Sequence, residues 1–128
     1  MLAQVVFLLL SALLPRVSAT VFAREPEHSK KKSYALIFGT VFDPDGRTVY
    51  GVRVKMRRVG EKKVRWELYS DHSGEFAQRV PAGKQDYVVW ADLKDYKSLN
   101  GNHLKPGTEV TVHIENDERA DIGLHLIW

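Results

Sequence analysis

From Tyr34 to Trp128, apolar and polar side chains alternate in short runs divided by clusters of Gly, Pro, Asp and Asn. The period is 2, the spacing at which strand side chains point to opposite faces, and not the 3.6 of a helix. Strands are predicted at about 34–42, 48–57, 63–69, 75–80, 86–93, 109–115 and 119–127. The breaks include Asp43-Pro44-Asp45-Gly46, Gly60, Asp71-His72-Ser73-Gly74, Pro81-Ala82-Gly83, Lys105-Pro106-Gly107 and Asn116-Asp117. Gly supplies positive φ there, Pro fixes φ, and Asp and Asn bond nearby amides. This pattern predicts an all-β domain, a Greek-key sandwich of about seven strands.

The alternation also assigns faces. Val52, Val54 and Met56 are expected inside, with Arg53, Lys55 and Arg57 outside. Val64, Trp66 and Leu68 form a second inward set; Val110, Val112 and Ile114 a third; Ile122, Leu124 and Leu126 a fourth. Tyr87, Val89 and Ala91 point in, which turns Val88 and Trp90 out. Leu36, Phe38 and Phe42 lie opposite Ile37, Gly39 and Val41. Gly39 and Gly51 fall inside predicted strands, where glycine marks a bulge or a close backbone approach. Residues 94–101 are expected to hold a short turn and no helix.

The N-terminus reads differently. Val5 to Leu14 is an apolar run of signal-peptide length, too short to span a bilayer, and Pro15 ends it. Val17-Ser18-Ala19 suits cleavage after Ala19, with Ala23 as a second site. Residues 1–19 are therefore expected to be a signal peptide, 20–33 a polar leader and 34–128 the domain. Export to the periplasm or beyond follows, with no transmembrane span once the signal is removed. The chain has no cysteine, so thiolate metal sites and thiol nucleophiles drop out.

Four stretches in order resemble the carboxypeptidase regulatory-like domains, a branch of the transthyretin-like (prealbumin-like) β-sandwiches. They are Ile37 to Gly46, continuing to Val54; Ser70-Asp71-His72-Ser73-Gly74-Glu75-Phe76; Val80 to Gly83 with Tyr87 to Ala91 and Tyr96-Lys97-Ser98; and Leu104 to Val112. The resemblance implies an immunoglobulin/transthyretin-like sandwich that serves as a non-catalytic accessory unit.

Enzyme motifs are missing. The chain ends Leu126-Ile127-Trp128, without the Tyr-Arg-Gly-Ser of the transthyretin-related hydrolases. Neither a Gly-x-Ser-x-Gly elbow nor a phosphate loop occurs. His28, His72, His103, His113 and His125 lack metal-ligand spacing, and His113 and His125 are expected on neighbouring outward-facing strands. Asp43, Asp45 and Asp71 read as turn residues rather than calcium ligands. The first strand lacks the lysine that isopeptide-forming adhesin domains use. No catalytic residue, cofactor or metal is expected.

Candidate surfaces remain. Formal net charge is +3, or +2 with 18 basic against 16 acidic residues once Arg16 leaves with the signal; this is too weak for nucleic acid. Cations crowd residues 47–65, and Arg53, Lys55, Arg57 and Arg65 are expected to share one solvent face. Glu109, Glu115, Asp117, Glu118 and Asp121 are expected at the opposite end. Phe38 offers an apolar docking site, and Tyr69 with Trp90 a flat platform for a sugar ring. The sequence thus predicts an exported protein-interaction module, with carbohydrate binding as the alternative and a transthyretin-related hydrolase disfavoured.

Overall fold

Tyr34–Phe42 forms strand β1, whose alternation is strict: Ala35, Ile37 and Val41 are fully buried, while Leu36, Phe38 and Phe42 are half-buried on the other face. The architecture comes from a computed structural model that describes residues 33–98, 101 and 103–128. The expected signal peptide and nearly all of the leader lie outside the described residues.

β2 (Arg53–Arg58), β3 (Trp66–Tyr69), β4 (Glu75–Pro81), β5 (Gln85–Asp92), β6 (Val110–Ile114) and β7 (Arg119–His125) complete the fold. One sheet has the order β4-β1-β7 and the other β3-β2-β5-β6. All neighbours are antiparallel except β1 and β7, which run parallel with Ile37 opposite Ala120 and Val41 opposite Leu124. The all-β sandwich read from the sequence is the one observed.

The inner faces interdigitate. Ile37, Val41, Phe76, Val80 and Leu124 from one sheet meet Val54, Met56, Tyr87, Val89, Val112 and Ile114 from the other. Each large aliphatic side chain so buried contributes about 1.5–3 kcal/mol. Trp66 and Leu68 are only half-buried because β3 is a sheet edge; Trp66 packs at a tilt on the Tyr87 ring.

Several details differ from the sequence reading. The second strand starts at Arg53, not 48, because residues 49–52 turn and Gly51 takes φ 80°. Gly39 does sit within a strand, but Gly51 does not. Val88 faces outward as expected yet is buried, between Arg57 on β2 and Thr111 on β6. β6 and β7 belong to different sheets, so His113 and His125 are not strand neighbours. The chain crosses from one sheet to the other at 115–118.

Register also fixes the two ends. The 59–65 loop, the 82–84 loop and the 115–118 loop all lie at one end. The stretches bearing Lys62, Lys63 and Arg65 and bearing Glu115, Asp117 and Glu118 therefore share this end, on opposite edges, while Arg47 and Glu109 lie at the other, so the charges do not form the end-to-end dipole expected. The other end carries the connections 43–52 and 70–74, residues 93–98 and 103–109, and the last residues.

Candidate binding groove

At this second end two turns repeat one design. Asp43 Oδ1 accepts the amides of Asp45 and Arg47, both at 2.9 Å. Asp71 Oδ1 accepts those of Ser73 and Glu75, also at 2.9 Å. Gly46 and Gly74 close the turns by donating to Asp43 O and Asp71 O. Between the turns, Ser70 is the one buried polar residue among the described residues: its Oγ donates to Val49 O at 2.7 Å and accepts from Val52 N at 2.9 Å.

That anchor holds Val49 and Val52 in the core and throws Tyr50 outward, 56% exposed. The Tyr50 ring stacks on His72, with centroids 4.0 Å apart and planes 11° from parallel. The C-terminal segment is tied in as well: Leu126 N donates to Phe42 O, and Lys105 exchanges two backbone bonds with Ile127. Trp128 thus ends beside the Asp43 turn, half exposed.

The result is an open groove of about 630 Å³. Tyr50, Tyr96 and Trp128 supply rings, Arg47 and Lys97 supply positive charge, and Asp43 and Asp95 supply carboxylates. A smaller hollow of about 120 Å³ adjoins it through Gly51, Asp95 and Tyr96 and reaches Arg53 and Tyr69.

The carboxylates are already committed. Asp43 holds backbone amides, and Asp95 pairs with Arg53 at 3.3 Å. Arg47 and Lys97 have no ion-pair or hydrogen-bond partner for their side chains among the described residues.

The sequence-predicted surfaces fare differently. Arg53, Lys55 and Arg57 lie on β2 and Arg65 just before β3, but carboxylates from other segments meet Arg53 and Lys55. Lys55 Nζ is 2.7 Å from Asp92, and Arg53 lies within 4 Å of Glu67, Asp92 and Asp95. Arg65 pairs with Glu61 at 2.9 Å, and Arg57 donates to the carbonyls of Arg58 and Glu61. The basic face expected from residues 47–65 is therefore neutralised at Arg53 and Lys55, and Glu61 alone meets Arg58 and Arg65. The Lys55 ammonium, then the Lys94 amide, hold the Asp92 carboxyl below its ordinary pKa.

The expected Trp90–Tyr69 platform is not continuous. Trp90 is half-buried opposite Lys55, Tyr69 lies opposite Arg53, and β2 separates the two rings. Arg53 instead covers Tyr69, donating to its hydroxyl at 3.1 Å. Phe38 lies on the outer face of the other sheet under the Arg119 guanidinium, 4.3 Å from the ring centroid. Of the predicted residues, only Arg53 and Tyr69 border the groove end.

Sequence reasoning missed Tyr50, Tyr96, Trp128 and the placing of Arg47 and Lys97 on one groove. Extending the inward alternation of 52, 54 and 56 back through 50 puts Tyr50 inside; the Gly51 turn reverses that. Asp71-His72-Ser73-Gly74 was the available signal, since such a turn presents His72 next to the preceding connection.

No family model matches the chain, and no curated protein matches it at a significant level. Solved structures do. (S)-allantoin synthase superposes with TM-score 0.58 at 13% identity, over 75% of this chain and 41% of that one. BcpA, the major pilin subunit of Bacillus cereus, gives 0.57 at 18%, over 73% and 30%. A streptococcal ancillary pilin gives 0.56 at 18%, over 77% and 33%. This chain spans less than half the length of each. At such identities the likeness establishes the transthyretin-like sandwich fold and no activity.

Proposed function

We propose that the chain is an exported, non-catalytic accessory module of carboxypeptidase regulatory-like type that engages an extracytoplasmic partner through the groove at its loop end. The observation that carries this reading is the groove itself. Exposed rings and two cations without partners among the described residues converge on one end of the sandwich, the arrangement by which binding sites gain contact area and orientation at low entropy cost. The ordered motif set supports the family assignment. The pilins among similar structures accord with a location at the cell surface.

The test is cross-linking in the native host with the full chain, followed by purification and mass spectrometry. Tyr50→Ala with Trp128→Ala should abolish capture of the partner while the sheets stay folded. Capture that survives this change but fails with Phe38→Asp would move the docking surface to the first sheet. That second reading rests on one observation, the half-buried row Leu36, Phe38 and Phe42, with Arg119 over the Phe38 ring. Turnover of a ureide substrate that depends on His72, His103, His113 or His125 would replace both with the hydrolase reading.

A further inference from the structure

We infer that the groove takes a sugar bearing a carboxylate, a uronate-type pyranose within an acidic oligosaccharide. This rests on the reading above that the groove is the binding surface, and it adds the ligand's chemistry.

Ring geometry comes first. Tyr50 is backed by His72 in near-parallel contact, so the phenol is held as a plate rather than a free rotor. Trp128 offers a second half-exposed plate along the same groove. A pyranose has an apolar face of axial C–H groups whose partial positive charge suits the negative face of an aromatic ring. Aliphatic anchors are scarce: Val49 lines the groove but is buried in the core, and Leu104 is half-buried. A peptide side chain seeking a dry apolar pocket, the usual anchor of protein recognition, finds little here.

Backbone accounting points the same way. An extended peptide gains affinity by bonding the exposed edge of a strand. The main chain lining this groove is folded into turns whose groups are spent: Asp43 N on Arg47 O, Val49 N on Val41 O, Gly51 N on Ser70 O and Tyr96 N on Leu93 O. Recognition must therefore come from side chains.

Charge then narrows the sugar. Asp95 is paired with Arg53 and Asp43 is fixed by amides, whereas Arg47 and Lys97 have no side-chain partner among the described residues. Their combined field favours an anion, and an arginine fork pairs well with a carboxylate. Ser98 lines the same wall beside Lys97.

The experiment titrates the full chain with trigalacturonate, its methyl ester, a hyaluronan tetrasaccharide and hexaglutamate, following the Trp128 indole resonance. At least one uronate should bind, with affinity falling as salt rises. Tyr50→Ala and Trp128→Ala should each weaken it about tenfold. Arg47→Gln with Lys97→Gln should remove the preference for trigalacturonate over its ester. All four positions are on the surface, and an unchanged pattern of sheet amides verifies folding. Silence from both uronates overturns the inference. Hexaglutamate binding tighter than either, and sensitive to Tyr50→Ala, overturns the sugar but leaves the groove as the site. Native partner capture that ignores the Tyr50 and Trp128 changes, with no probe sensing them, overturns the groove as well.

Discussion

Gly39 on β1 lies directly opposite Phe76 on β4, and the Phe76 ring occupies the space a side chain at 39 would need. A Cβ at Gly39 would stand 2.2 Å from Phe76 Cζ. The ring is buried, so it has nowhere to retreat. Gly39→Ala should therefore destabilise the domain by about 1–3 kcal/mol, an overpacking cost. Phe76→Leu on that background should recover part of the loss, making the double mutant more stable than additivity allows. Urea midpoints of the four proteins check this.

The twin turns give a matched comparison. Gly46 and Gly74 have similar φ, 84° and 77°. A Cβ on Gly46 meets nothing within 4 Å, whereas one on Gly74 would lie 2.6 Å from Thr48 Cβ and 3.0 Å from Val49 N. Gly46→Ala should cost only the left-handed strain, about 1 kcal/mol. Gly74→Ala should cost about 1–3 kcal/mol more. Thermal unfolding of the two variants decides whether the packing difference is real.

Ser70 connects stability to the groove. Replacing it with Ala leaves Val49 O and Val52 N without partners inside the core, which should cost about 1–3 kcal/mol. The same loss frees the segment bearing Tyr50. Hydrogen exchange of the Val52 amide should rise more than that of the central strand amides. A uniform rise would mean that Ser70 supports the whole sandwich and not this connection.

His113 gives the domain a pH dependence. Its ring lies between Glu115 and Asp86, which favour the imidazolium and raise its pKa above 6.5; Glu118 lies close enough to feel its charge. The unfolded chain lacks this arrangement. The stabilisation is thus complete below the ordinary histidine value and is lost as pH climbs through the raised folded value. His113→Gln should lower the melting temperature at about pH 5.5 and have little effect at about pH 9.

Asp92 behaves oppositely. Lys55 and the Lys94 amide lower its pKa, so its contribution is present above its ordinary value of 3.8 and fades as pH falls through the folded value. Asp92→Asn should cost about 1–2 kcal/mol at neutral pH. It should also narrow the difference in stability between neutral and about pH 3. A urea series at the two pH values is the measurement.

Much of the fold was legible because strand alternation is local. Tyr34–Phe42 was read with the observed bounds, and β4 to β6 within a residue or so, since turn residues flank them. The site was far less legible. The cations at 53 and 55 looked unopposed because Asp92 and Asp95 are about 40 positions away and meet them only when β5 pairs with β2. Tyr50 was hidden by one positive-φ glycine that reverses the alternation.

The sequence alone determined that this chain would be a two-sheet β-sandwich, which faces would be apolar and where Asp-Gly turns would close it. Those properties depend on side-chain period and backbone sterics within a few residues. The tertiary structure alone decided which strands became neighbours, that β1 runs parallel to β7, and that Arg53 and Lys55 meet distant carboxylates. It alone gathered Tyr50, Tyr96, Trp128, Arg47 and Lys97 at one end. Long-range pairing is chosen by how the whole core packs, and no local window of sequence contains that information.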